Sequence, residues 1–183
     1  MNSFYVYRVD VGGHNNVLVC YVASFGFDIV KFGGIIKNAF DGSPFSTDLV
    51  IISAEYNRGE ILEKLMNNPA EMQRLKRSIN NYQLMNFHLA SVKLDGSVVF
   101  DEKLESAVVG GFRVNPNFPT VLELGLVDIV ARNNLVLESS PNYHFVKPSG
   151  KHTSRFIKAS NVMQRSAEIS FMALNLLKFV KGK

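Results

Sequence analysis

The sequence predicts an α/β fold, and three features carry that expectation. Short apolar runs alternate with charged segments of helical spacing. "DLVIISA" (Asp48 to Ala54) is a nearly unbroken apolar run of the kind buried inside a sheet. Asp95-Gly96 stands between two alternating segments, the signal of a tight hairpin. A chain of 183 residues that is 46% apolar has the material for a folded core. No uninterrupted apolar run reaches membrane-spanning length, and the N-terminus MNSFYVYRVD lacks the basic-then-apolar pattern of a signal peptide. The expected compartment is the cytoplasm, with no membrane contact. Cys20 stands alone inside "VLVCYV", which excludes a disulfide framework or a cysteine metal cluster and reads as a buried, inert thiol.

Taken in order, "FYVYRVDV" and "VLVCYVASF" flank "GGHNN", which predicts two strands with His14 exposed in the turn. "DIVKFGGIIKNAF" has helical apolar spacing interrupted by Gly33-Gly34. After the buried strand comes "EYNRGEILEKLMNNPAEMQRLKRSINNY", an amphipathic helical region. It should break at Pro69, which has no N–H and whose ring crowds the preceding turn. "LMNFHLASVKL", Asp95-Gly96 and "SVVF" form the predicted hairpin. His88 on its first strand reads as structural, because no second His, Cys or carboxylate stands at ligand spacing. Asp101-Glu102 and Ser106 superficially suggest a phosphate loop, but Lys103 and Leu104 stand where small donors should cradle phosphate, so solvated strand-end acids are the expectation.

"GGFRVNPNFP", rich in Gly, Pro and Asn, marks a composition shift near residue 115. Residues 1–115 are expected to form an α+β domain with antiparallel hairpins and no assigned role, and residues 116–183 a second unit. That unit reads as a helix over 120–134 with Thr120 as N-cap, strand or loop over 135–147, a Ser149-Gly150-Lys151 turn, a strand over 155–159 and a helix over 164–180. The last helix is apolar almost all round from Phe171 to Val180 and needs cover on several sides.

Charge is unevenly placed. From Tyr143 to Lys183 there are eight Lys or Arg against one acid, Glu168, whereas the stretch from Met1 to Asn142 carries twelve bases and fifteen acids. The basic field centres on "HFVKPSGKHTSRFIKASN" (His144 to Asn161), where a glycine turn lies among cations and aromatic residues. Glycine lets backbone approach a ligand closely, Lys147 and Lys151 offer donors to phosphate or carboxylate oxygens, and Phe145 or Phe156 can support a flat base. The plain alternative is a basic turn anchored by two core phenylalanines.

The order helix, phenylalanine strand, Ser-Gly-Lys-x-Thr turn, aromatic strand, helix resembles the N-terminal hood element of orotate phosphoribosyltransferases and their type I relatives. Within the span from Leu124 to Val180, Phe145, Ser149, Gly150, Lys151, Thr153, Phe156 and Ile157 match it in order and spacing. The resemblance implies a phosphoribosyltransferase-like fold and a nucleotide- or phosphosugar-facing site at Lys147, Ser149, Gly150, Lys151, Thr153, Arg155 and Phe156. Arg155, Lys158 and Pro148 depart from the family's pattern, which argues against orotate as substrate. The family's phosphoribosyl diphosphate loop lies well downstream of this turn, whereas here the sequence reaches its last residue, Lys183, soon after Lys151. The catalytic sheet and that loop are therefore expected from a second polypeptide or a continuation of the chain. The chain itself implies no cofactor, and Mg2+ belongs to the assembled site. A homo-oligomer formed through the last helix is the other way to cover its apolar surface. The resemblance also implies a context, an effector of a bacterial defence operon.

No Walker loop, nucleophile elbow, His-Glu-x-x-His zinc pattern or Gly-x-Gly-x-x-Gly turn supplies a reaction centre, so catalysis by this chain alone is not expected and no catalytic residue is assigned. Two further readings stay open: a non-catalytic nucleotide-binding module, and a nucleic-acid-binding or scaffold protein using the basic C-terminal strip.

Overall fold

The computed structural model describes residues 3–11, 14–23, 27–41, 48–81, 86–100, 118–143, 145–163 and 165–180. Two aromatic and β-branched segments pair first: β1 (Phe4–Val11) runs antiparallel to β2 (His14–Val22). His14 opens β2 opposite Val11, so it is a strand residue and not a turn residue as expected. From β2 the chain crosses through α1 (Ile29–Asp41) to β3 (Asp48–Ala54), which pairs parallel to β2. It crosses again through α2 (Glu55–Met66) and α3 (Pro69–Asn81) to β4 (Asn86–Val92), parallel to β3. The Asp95-Gly96 turn, with Gly96 at φ 80, returns β5 (Val98–Phe100) antiparallel to β4.

The result is a mixed five-stranded sheet in the order β1-β2-β3-β4-β5. Both expected hairpins are present, but they flank a parallel centre, so the N-terminal part is α/β and not α+β. The reason lies in β3, buried along its whole length: such a strand is covered by helices on both faces, as parallel strands joined by helical crossovers are. Alternation sorts its side chains. Leu49 and Ile51 join Leu18, Cys20 and Leu89 beneath Phe32, Ile36 and Phe40 of α1, Ile61 and Leu65 of α2, and Met72 and Leu75 of α3. Val50 and Ile52 join Tyr5, Tyr7, Val19, Tyr21 and Ala90 on the opposite face.

That opposite face is covered by the C-terminal quarter. Helices α4 (Phe118–Arg132) and α5 (Ser166–Val180) lay Val121, Leu122, Ile129, Phe171 and Leu174 on it, completing three layers. Residues from both sides of the expected boundary thus share one core. The boundary near residue 115 lies outside the described residues, as do Asp101, Glu102 and Ser106.

Local signals place the element ends. Gly33-Gly34 do not interrupt α1, because Phe32, Ile36 and Phe40, one turn apart, fix its buried stripe. α2 stops at Met66 and Pro69 opens α3, where its missing N–H costs nothing. Thr120 sits inside the first turn of α4, which begins at Phe118, so it is not the N-cap. Asn134 adopts φ 48 just past α4 and turns the chain into the next segment. Cys20 is fully buried, and that burial raises its thiol pKa, as expected of an inert cysteine. His88 is buried too, edge-on to Phe100 at 6.2 Å. Among the described residues, no helix is long and apolar enough to cross a membrane.

Candidate functional site

The segment from Leu135 to Lys158 adds two short ribbons outside the layers. β6 (Val136–Glu138) pairs antiparallel to β9 (Arg155–Ile157), and β7 (Phe145–Val146) pairs antiparallel to β8 (His152–Thr153). A 3-10 turn, Ala159–Asn161, replaces the end of the strand expected over 155–159 and leads back to α5.

The Ser-Gly-Lys turn closes β7 onto β8. The Gly150 N–H donates to the Lys147 carbonyl at 2.8 Å, the Lys147 N–H donates to the Lys151 carbonyl at 2.8 Å, and Gly150 has φ +77. Pro148 occupies the second turn position, where its ring-fixed φ and its lack of an N–H are both tolerated. Glycine takes the fourth, where the left-handed backbone disfavours other residues. Nothing lies within 4 Å of a Cβ placed on Gly150, so Gly150→Ala meets no clash and costs only the backbone preference, roughly 1 kcal/mol. The expected outcome is several-fold faster amide exchange at Lys147 and Gly150 with an almost unchanged global denaturation midpoint. A drop in that midpoint would show the turn to be part of the cooperative fold.

Register decides which side chains meet. Phe145 lies opposite Thr153 and Val146 opposite His152, and continuing the ladder places Lys147 opposite Lys151. By strand alternation Phe145, Lys147, Lys151 and Thr153 share one face. Phe156 stacks on Phe145 with centroids 5.4 Å apart and planes at 23°, and Tyr143 meets Phe145 edge-on at 5.1 Å. The two phenylalanines are not core anchors: Phe156 is 47% exposed and Phe145 half-buried, because this small element has no interior of its own.

Of the residues singled out from sequence, Phe145, Phe156, Lys147 and Lys151 come together on that face. Ser149 and Gly150 form the exposed tip. The Thr153 hydroxyl donates to the Arg155 carbonyl at 2.9 Å and holds the corner between β8 and β9. Arg155 faces the other way from Phe156 and donates through Nε to Glu138 at 3.1 Å, with Ile157 and Val136 exposed beside it. No group of three or more His, Cys, Asp or Glu among the described residues could hold a metal ion.

A second polar cluster is one that the sequence patterns do not announce. The Tyr5 hydroxyl lies 2.7 Å from Asp128 Oδ2 and 2.8 Å from the Gly125 carbonyl, sharing its proton between them. Burial first, then the bond to Asp128, holds its phenol far above the ordinary tyrosine range. Arg132 lies over the Tyr5 ring at 5.1 Å, pairs with Asp128, and donates to the Val6 carbonyl at 3.2 Å on the outer edge of β1. Glu168, buried at the start of α5, receives Asn133 Nδ2 at 2.6 Å and faces Arg165 at 3.3 Å and Arg132 at 3.7 Å. A cavity of about 350 Å³ opens among Tyr5, Arg132, Arg165 and Glu168. Two guanidinium groups balance two carboxylates there, so the cluster ties α4, α5 and β1 together and leaves no excess charge for a ligand. Asn161 extends the tie to the ribbons by donating to the Asn133 carbonyl at 2.9 Å.

No family model, curated protein or solved structure matches the chain. The functional reading therefore rests on the residues themselves.

Proposed function

We propose that residues 135–158 are the ligand-facing hood of a phosphoribosyltransferase-like assembly, and that this chain is incomplete as a catalyst by itself. The observation that carries the reading is the cross-strand pair Lys147 and Lys151 on the same face as the Phe145–Phe156 stack. Like charges directly opposite each other destabilise a ribbon. An anion bridging the two ammonium groups turns that repulsion into two charge-assisted hydrogen bonds. One strand step of two residues, about 7 Å, separates Lys147 from Phe145, which suits a phosphate on the lysines and a base against the ring. A partner chain or continuation supplies the phosphoribosyl diphosphate loop and its Mg2+.

The test is a titration of the isolated chain with nucleoside monophosphates, followed by backbone chemical shifts. Saturable shifts confined to residues 143–158 are expected, without transfer of a base by the chain alone. Lys147→Ala with Lys151→Ala should weaken binding at least tenfold, since a hydrogen bond to a charged group contributes about 1.5–3 kcal/mol. Shifts centred elsewhere, or binding indifferent to both lysines, would overturn the reading.

A further inference from the structure

We infer that the hood's ligand is a base held within a single-stranded nucleic acid, so that the strand runs across the hood from the glycine turn past Phe156. This rests on the reading of the hood given above and names its substrate class.

The first observation is that cations stand at both ends of the ring stack. Lys147 and Lys151 lie at the turn, and Lys158 follows two residues after Phe156, beyond β9 and away from the turn. Among the described residues none of these three lysines is ion-paired, whereas Arg155 is engaged with Glu138. A mononucleotide offers phosphate on one side of its base only. A strand offers phosphate on both sides of every internal base, which matches exposed lysines placed before and after the rings along the chain.

The second observation is the amount of aromatic surface left open. Tyr143 is 60% exposed and Phe156 47% exposed, and with Phe145 they form a run of three rings at 5.1 and 5.4 Å. One ring suffices to back one base. Phe145 is itself covered by Phe156, so the two exposed rings, Tyr143 and Phe156, are the ones that suit successive bases, which stack on aromatic side chains regardless of sequence. Two strand steps and the ring separation put at most roughly 20 Å between the lysine pair and Lys158. That length covers about four nucleotides, the lower end of single-strand site sizes. A duplex buries the faces of its bases and cannot use the rings.

The experiment measures binding of the whole chain to a labelled single strand of about twelve nucleotides, as oligo-dT and as oligo-U, against a duplex of equal length and a nucleoside monophosphate. The single strand should bind at least tenfold tighter than the duplex and the monophosphate. Its salt dependence, log affinity against log salt, should have a slope of about −2 for three phosphates neutralised, and this should become shallower in Lys147→Ala/Lys151→Ala. Phe156→Ala should lose roughly ten- to a hundredfold in affinity, with Phe156→Tyr retaining it. Equal affinity for strand and monophosphate through the same residues would overturn this inference and leave the hood reading standing. Failure to bind either would overturn both. Equal binding of duplex and single strand, unaffected by Phe156→Ala, would overturn this inference as mere attraction to a basic surface.

Discussion

Phe171→Ala should destabilise the protein by about 4 kcal/mol, seen as a lower denaturant midpoint with an unchanged slope. Phe171 is fully buried on α5, and its ring meets Tyr5 at 5.1 Å, Tyr21 at 5.2 Å and Tyr7 at 5.6 Å, each time edge to face. Truncation removes the transfer free energy of a whole ring, leaves a cavity and breaks three aromatic pairs. The surrounding groups cannot collapse freely into the space. The Tyr7 hydroxyl is bonded to the Val121 carbonyl at 3.1 Å and the Tyr21 hydroxyl to Ser170 at 2.8 Å, so the rings are held at both ends. Against a total stability of about 5–15 kcal/mol this is a large fraction, worth roughly 10 °C in melting temperature for a chain of this size. Phe171→Leu keeps part of the volume and should cost about half as much. A loss under about 1 kcal/mol for the alanine variant would show that α5 does not cover the sheet as described.

Whether a feature can be read from the sequence depends on how far apart its partners are in the chain. The Asp95-Gly96 hairpin, the break before Pro69 and the Lys147–Lys151 turn involve a few consecutive residues, and each appears where the local pattern places it. The face of the turn that carries the lysines also follows from alternation. The place of the two phenylalanines does not, because an aromatic residue in a strand reads equally well as core or surface until the element's interior is known. The packing of α4 and α5 onto the N-terminal sheet joins residues more than a hundred positions apart, such as Tyr7 to Val121, and no local pattern announces it. The apolar circumference of α5 is legible as a need for cover, and among its described side chains the sheet with α4 covers Ala167, Phe171 and Leu174 while Leu176 is exposed. The buried end of the second polar cluster does leave one trace in the sequence. Glu168 is the lone acid among eight bases between Tyr143 and Lys183, and a solitary carboxylate at the start of an apolar helix points to a fixed ion pair.

Gly125→Ala should also destabilise, by about 2 kcal/mol, although local propensity predicts the opposite. Gly125 lies in the middle of α4, where alanine is favoured over glycine by about 1 kcal/mol. Packing reverses the sign. A Cβ at this position would stand 2.6 Å from Tyr7 Cζ and 2.7 and 2.8 Å from Phe171 Cζ and Cε1. None of these is the loose end of a flexible chain: both rings are buried against each other, and the Gly125 carbonyl itself accepts from Tyr5 at 2.8 Å. To admit a methyl, α4 must lift from the sheet and stretch the Tyr5 and Tyr7 hydrogen bonds, or the rings must leave their rotamers. Overpacking of this kind costs about 1–3 kcal/mol and a weakened buried hydrogen bond about 1 more, together exceeding the propensity gain. Combining Gly125→Ala with Phe171→Leu separates the contributions, because leucine withdraws two of the three crowding atoms. The double variant should be more stable than the sum of the single losses predicts, by about 1 kcal/mol in a denaturation cycle. Strict additivity would mean that the clash is relieved by Tyr7 alone, and a stabilised Gly125→Ala would mean that α4 stands further from the sheet than these distances require.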